Sequence, residues 1–134
     1  MALSWVILRI DPAEAALSAE GQKTVQSTGA CVPSIWAAEV TNTLLVFQRA
    51  KRLSEQDCTT YLFDIQLMEI VPDVQPVAQQ FTRVLDLARR FQLSSYDASY
   101  LELALRAGLP LATFDRKLAE AARTAGVPVF GDTP

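Results

Sequence analysis

Four short apolar runs, separated by helical patterns, most constrain the fold of this chain. No run alternates apolar and polar residues in the way that a half-exposed strand does. Buried strands that alternate with helices are typical of a parallel sheet covered on both faces. The sequence therefore predicts a single three-layer α/β/α domain over residues 1–134 with a short, mainly parallel sheet. The expected strands are ACVP (30–33), EIVP (69–72), LPLATF (109–114) and VPVF (127–130).

Capping residues mark where most of the helices begin and end. Asp11 and Pro12 form an N-cap acceptor followed by the residue that suits the first helical position. This helix is expected to run to about Ser27 and to end at Gly29. Later helices are predicted after Ser34, after Ser54, from Pro76 to about Phe91, from Ser94 or Ser95 to Gly108, and from Asp115 to Gly126.

Histidine is absent from the 134 residues. Its absence excludes catalysis by a histidine base and zinc or haem sites with histidine ligands. The two cysteines, Cys31 and Cys58, cannot form a four-thiolate site. One pair in a chain with a sufficient core favours reduced thiols and a cytoplasmic location. The remaining chemistry is that of carboxylates, hydroxyls and amides, and of the hard cations that carboxylates bind.

Three acids stand out because each lies in the first turns of a helix that follows an apolar run or a serine cap. They are Glu39, Asp97 and Asp115. Each has a structural explanation: Asp115 is a helix N-cap, Asp97 is favoured by the helix dipole, and Glu39 could face solvent. Together they lie where a parallel sheet collects its ligands, at the carboxyl ends of its strands. Since neighbouring carboxylates repel, Mg²⁺ or Mn²⁺ between them would relieve the repulsion.

The overall charge of the chain gives no general attraction to nucleic acid. Twelve basic and 15 acidic residues leave a net charge of −3, so contact with RNA must depend on a local basic patch. Arg116 and Lys117 follow Asp115 directly and are the residues that we expect to bind phosphate. No apolar stretch is long enough to span a membrane, so no membrane partner is expected.

Two segments, taken in order, resemble the PIN domain, and within it the VapC-type toxins of bacterial toxin–antitoxin pairs. They are SIWAAEVTNTLL and LSSYDASYLELALRAGLPLATFDRKLAEAARTAGVPVF. The likeness extends from about Ala2 to Phe130 and is strongest between Leu93 and Val129. It implies an endoribonuclease that binds Mg²⁺ or Mn²⁺ with a cluster of acids, forms a homodimer and pairs with an antitoxin laid across the early helices.

The resemblance also implies roles for single residues. Glu39, Asp97 and Asp115 match the family's acids and are expected to ligate the metal and to activate or place the attacking water. Asn42 matches an asparagine expected to orient, although a hydrogen bond inside its own helix explains it equally well. Thr113 matches a hydroxyl residue that hydrogen-bonds a carboxylate or substrate, or else it is an ordinary strand residue.

One departure from the family pattern concerns the amino end. The family opens with a central strand ending in an aspartate, whereas Met1 to Trp5 reads here as the first helix. We therefore expect this strand and its aspartate to be missing. Either the chain begins at an internal methionine of a longer protein, which we favour, or the fold rearranges or borrows a strand from a partner. With three acids, metal affinity and activity are expected to fall.

Two other functions remain open. The missing aspartate favours a catalytically inert PIN-like module that binds protein or RNA. A receiver-type regulatory domain with an acidic Mg²⁺ pocket is the other alternative, but the paired acids expected after a first strand are absent.

Overall fold

A four-stranded parallel sheet organises the computed structural model, which describes the backbone of residues 2–3 and 12–132 and the side chains of residues 19–132. The strands lie in the order β3-β2-β1-β4. Helices connect them in the α/β pattern that the sequence predicts, so the predicted fold class is confirmed. The strands are β1 (Ala2–Leu3), β2 (Ala30–Pro33), β3 (Ile70–Asp73) and β4 (Leu111–Ala112).

The first strand corrects a sequence prediction. Strand β1 lies in the middle of the sheet, where Ala2 pairs with Cys31 of β2 and with Leu111 of β4. The prediction that this strand is missing is therefore wrong at Ala2 and Leu3, because the two residues pair as a strand. A strand of two residues is too short to produce a recognisable sequence pattern. Its backbone nevertheless pairs with β2 on one side and with β4 on the other. The predicted N-cap Asp11 lies outside the described residues.

The other strands lie where they are predicted, and the last two are shorter than predicted. Strand β2 has the predicted bounds, and β3 begins one residue later than predicted. Strand β4 is reduced to two of its six predicted residues. The predicted strand at 127–130 forms a single parallel bridge, between Val129 and Leu111.

Seven α-helices and one π-helical turn are found in the described part of the chain. They are α1 (Pro12–Thr28), α2 (Trp36–Arg49), α3 (Glu55–Gln66), α4 (Val77–Gln79), the π-turn (Gln80–Val84), α5 (Leu85–Phe91), α6 (Ser95–Ala107) and α7 (Arg116–Thr124). The helix predicted from Pro76 is therefore present, but it contains a π-turn, in which the backbone bonds span five residues.

Local capping chemistry explains most of the helix boundaries. Ser54 forms a capping box with Asp57 at the start of α3, and Ser94 accepts a hydrogen bond from the Asp97 backbone at the start of α6. Ser34 was expected to cap α2, but the N-cap is Ile35, which forms no side-chain cap. The side chain of Ser34 is exposed and α2 begins one residue later than this cap would set it.

The core lies between the sheet and the helices, and α6 is its centre. Helix α6 contacts β1, β2 and β4 as well as α5 and α7. Leu101, Leu111 and Leu118 are fully buried, and burial of each such side chain stabilises the fold by about 2 kcal/mol. This packing fixes the first turn of α6 against the carboxyl edge of the sheet. No helix in the described residues is both long and apolar enough to cross a membrane.

Candidate acidic site at the carboxyl edge of the sheet

The three predicted acids are carried by three helices that begin at the carboxyl edge of the sheet. Glu39 lies one turn into α2, which follows β2, and Asp115 is the N-cap of α7, which follows β4. Asp97 lies in the first turn of α6. Glu39 and Asp97 are half-buried, and Asp115 is exposed.

Asp97 lies close enough to Asp115 for the charge of Asp115 to affect the pKa of Asp97. Burial raises the pKa of Asp97, and the negative charge of Asp115 raises it further. The hydrogen bond from Ser94 and the positive charge of Lys117 act in the opposite direction, but they do not cancel the rise in this pKa. The structure therefore brings together two predicted acids and one predicted phosphate-binding residue, Lys117.

Two hydrogen bonds to neighbouring residues fix the position of Asp115. Its carboxylate oxygen Oδ1 accepts a hydrogen bond of 2.7 Å from the Leu118 backbone N–H, as an N-cap does. Its own N–H donates to the Thr113 hydroxyl at 3.1 Å. Thr113 is buried, so its hydroxyl fixes the backbone that presents Asp115. Its predicted bond to a carboxylate or substrate stays a prediction.

Glu39 is joined to α6 by a buried tyrosine. The Tyr100 hydroxyl donates a hydrogen bond of 2.6 Å to Oε1 of Glu39. Tyr100 is 2% exposed, and burial raises its pKa well above its ordinary value. The hydrogen bond to Glu39 and the negative charges of Glu39 and Asp97 raise this pKa further. The Tyr100 hydroxyl therefore lies close to the negative charges of both Glu39 and Asp97.

Sequence reasoning missed Tyr100, although a signal was present. Tyr100 follows Asp97 by three residues, so the two side chains lie on neighbouring parts of one helix face. A tyrosine on an apolar face needs a partner for its hydroxyl when it is buried. Only the structure shows that this partner is Glu39, which is 61 residues away.

The remaining predicted residues lie on the surface around these acids. Asn42 is exposed on α2, and Arg116 and Lys117 are exposed in the first turn of α7. The charge of Lys117 acts on Asp97. The roles predicted for Asn42 and Arg116 stay predictions.

Only some of the three predicted acids are placed to bind one divalent ion together. Within the described residues, no group of three or more acids, cysteines or histidines lies close enough to hold one ion. A three-acid ligand set is therefore not formed. Asp97 and Asp115 alone are a suitable pair, because Mg²⁺ is commonly bound by one or two carboxylates together with water and substrate phosphates. A cation between them would also relieve the repulsion that raises the pKa of Asp97.

Comparison with known proteins agrees with this fold. The family model described as the PIN domain matches residues 2–124. This chain therefore belongs to the PIN domain family, whose members are generally metal-dependent nucleases.

Solved structures show the same fold. The chain is similar to the crystal structure of PAE2754 from Pyrobaculum aerophilum, with a TM-score of 0.64 and 24% sequence identity. The match covers 90% of this chain and 83% of the other. At this identity the likeness concerns the fold alone. No curated protein matched the sequence.

Proposed function

We propose that this protein is a metal-dependent endoribonuclease of the PIN type. The observation that carries the proposal is the placement of Asp97 and Asp115 at the starts of α6 and α7, close enough for the charge of Asp115 to raise the pKa of Asp97. Repulsion between two carboxylates destabilises the fold, and a divalent cation bound between them would relieve it. The absence of histidine is compatible with this chemistry, because such a site needs only oxygen ligands.

In this proposal each side chain of the site has its own role in RNA cleavage. Asp97 and Asp115 would hold Mg²⁺ or Mn²⁺, which when bound lowers the pKa of water and shields the charge of a phosphodiester. Glu39, held through Oε1 by Tyr100, orients the attacking water and accepts its proton through the other oxygen. Lys117 and Arg116 bind the substrate phosphates at the start of α7. Asn42 helps to orient these groups.

The biological setting that we propose is a bacterial toxin–antitoxin pair, in which this chain is the cytoplasmic toxin and forms a homodimer. Apolar side chains on the early helices support a protein partner. Phe63 and Leu67 are exposed one turn apart at the end of α3, a spacing that places them on one face. Cys31 and Cys58 are both free thiols, as in the cytoplasm.

A catalytically inert PIN-like binding module is the second candidate. Two observations favour it: no group of three metal-ligating side chains forms in the described residues, and β1 consists of Ala2 and Leu3, neither of which is an acid. Such a module would bind RNA or protein without cleaving RNA.

Cleavage of labelled single-stranded RNA in Mg²⁺ or Mn²⁺ separates the two candidates. We expect slow, divalent-dependent cleavage that Asp97→Asn or Asp115→Asn reduces by about 100-fold or more. Asparagine caps helices as well as aspartate does, so Asp115→Asn changes the charge and keeps the cap. Ser54→Ala is the matched control, because it removes the N-cap of α3 at a stability cost of about 1 kcal/mol and leaves the acids intact.

The outcomes are distinct. Cleavage by the wild type and by Ser54→Ala, but not by the two asparagine variants, supports the nuclease. Metal-independent cleavage, or equal cleavage by all variants, contradicts the site. RNA binding without cleavage in any of these conditions favours the inert module.

A further inference from the structure

A cavity opens beside the acidic site. It has a volume of about 350 Å³, within the range of pockets that hold small organic ligands. The carboxyl ends of β2 and β3 line it at Pro33 and Asp73, and the first turns of α6 line it at Ser95, Tyr96 and Ser99. The cavity therefore shares the sheet edge and the first turn of α6 with Asp97.

Two exposed aromatic side chains line the cavity. Tyr96, the residue directly before Asp97, is 58% exposed, and Phe81 of the π-turn is 70% exposed. Aromatic rings on the surface beside a nucleic-acid site commonly stack on unpaired bases, because every base has a π-face. The π-turn that carries Phe81 is itself a feature found frequently at functional sites.

The polar lining of the cavity is rich in hydrogen-bond acceptors. Oε1 of Gln79 is buried and has no hydrogen-bond partner among the described residues. The amide nitrogens of Gln75 and Gln80 donate to Asp73 and Ser99, and the carboxylates of Asp73 and Glu102 add further acceptor oxygens to the lining. A ligand that donates hydrogen bonds therefore suits this lining.

The charges of the cavity disfavour an anion. Glu102, 6% exposed, and Asp73 both accept hydrogen bonds from Arg106. Two carboxylates and one guanidinium leave one net negative charge at the wall. A phosphate would be repelled by this charge, whereas a neutral aromatic ring with N–H donors would not.

We propose that this cavity is a subsite for an unpaired guanine base of the RNA strand next to the cleaved phosphate. Guanine presents an N1–H and a 2-amino group side by side, so it offers more neighbouring donors than the other bases. The ring stacks on Tyr96 and Phe81, and its donors face the acceptor groups around Gln79. This inference rests on the proposed nuclease function, because it places the scissile phosphate at Asp97.

Binding in a chelator tests the subsite without cleavage. The probes are fluorescently labelled hexauridylates with one internal position changed to guanosine, inosine or an abasic ribose, and affinity is measured by anisotropy. We expect the guanosine strand to bind about 10-fold more tightly than the inosine strand, which lacks the 2-amino group. Phe81→Ala or Tyr96→Ala weakens its binding by about 5- to 100-fold, whereas Tyr96→Phe retains it.

Matched controls isolate the cavity from general effects on folding. Leu105→Ala truncates an exposed side chain elsewhere on α6 and leaves guanosine binding unchanged. Gln79→Leu removes the preference for guanosine over inosine and keeps the stacking. Circular dichroism melts check that each variant is folded.

Several results would overturn the subsite. They are an abasic strand that binds as tightly as the guanosine strand, no preference for guanosine over inosine, no effect of Phe81→Ala, or no binding of any strand. Cleavage in Mg²⁺ is measured in parallel. Guanosine-dependent binding without cleavage would contradict the nuclease function and support the subsite. Cleavage at the same rate by the wild type and by Phe81→Ala would support the nuclease function and contradict the subsite.

Discussion

Asp97 binds its proton more tightly in the folded protein than an ordinary aspartate does. Burial and the charge of Asp115 raise its pKa above the ordinary 3.8, against the opposing effects of Ser94 and Lys117. Because the folded state binds this proton more tightly than the unfolded state, the contribution of Asp97 to stability is greatest below about pH 4 and is lost as the pH rises through the raised pKa. The residue therefore opposes folding at neutral pH unless a cation is bound.

Titration of the Asp97 carboxyl carbon by NMR tests this coupling. Asp115→Asn removes a negative charge and is expected to lower the pKa of Asp97, and Lys117→Ala removes a positive charge and is expected to raise it. Asp64→Asn, on the exposed surface of α3, is the control and leaves this pKa unchanged. If neither Asp115→Asn nor Lys117→Ala changes the pKa of Asp97, the charges of Asp115 and Lys117 do not act on Asp97 and this account is contradicted.

Tyr100 and Glu39 connect α2 with α6 by a hydrogen bond that is partly buried. Tyr100→Phe keeps the buried ring and removes the donor, so we expect a loss of about 1–2 kcal/mol in the free energy of unfolding, measured with urea. Tyr61→Phe is the matched control, because burial alone raises the pKa of Tyr61 to about 12. A loss for Tyr100→Phe no larger than that for Tyr61→Phe contradicts the role of this bond.

At the scale of elements, the passage from α1 to β2 depends on one glycine. Gly29 has a φ of +74°, and a Cβ atom added there would lie 2.9 Å from the Glu69 backbone oxygen. This close approach lets Ala30 donate a 2.9 Å hydrogen bond to the same oxygen, at the start of the β2–β3 pairing.

Gly29→Ala is expected to destabilise the protein by about 2–3 kcal/mol, since strain in φ and a backbone clash act together. Gly108→Ala separates the two effects, because Gly108 has a φ of +66° and nothing within 4 Å of an added Cβ. Its expected cost is about 1–2 kcal/mol. Equal losses for the two variants in thermal denaturation would show that the contact with Glu69 carries no energy.

Elements whose boundaries depend on local chemistry could be predicted from the sequence. The caps Ser54, Ser94 and Asp115 each act within three residues of themselves, and each lies where the sequence places it. The π-turn and the two-residue β1 could not be predicted, because tertiary contacts decide both. The π-turn contacts α6, and β1 exists through its pairing with β2 and β4.

The candidate site shows the same limit. Glu39, Asp97 and Asp115 could be proposed from their positions after strands and caps, and the resemblance to a family made the proposal specific. The bond between Tyr100 and Glu39 joins residues far apart in sequence, so no local pattern could show it. The acceptor-rich cavity likewise collects residues from β2, β3, α6 and the π-turn.

At the scale of the whole molecule, the net charge of −3 opposes binding of RNA. An acidic nuclease must therefore bind phosphate through a local cluster of basic side chains. We expect that cluster to lie at the start of α7, where Arg116 and Lys117 follow Asp115. A cation at Asp97 and Asp115 would add positive charge at the same edge of the sheet.

The central claim is that Asp97 and Asp115 together bind a divalent cation, and titration calorimetry with Mn²⁺ tests it most directly. We expect the wild type and Asp64→Asn to bind about one ion in the micromolar to millimolar range, since two carboxylates give only moderate affinity. Asp97→Asn and Asp115→Asn are each expected to abolish this binding. Absence of binding to the wild type up to millimolar Mn²⁺, or equal binding by all four proteins, would contradict the claim.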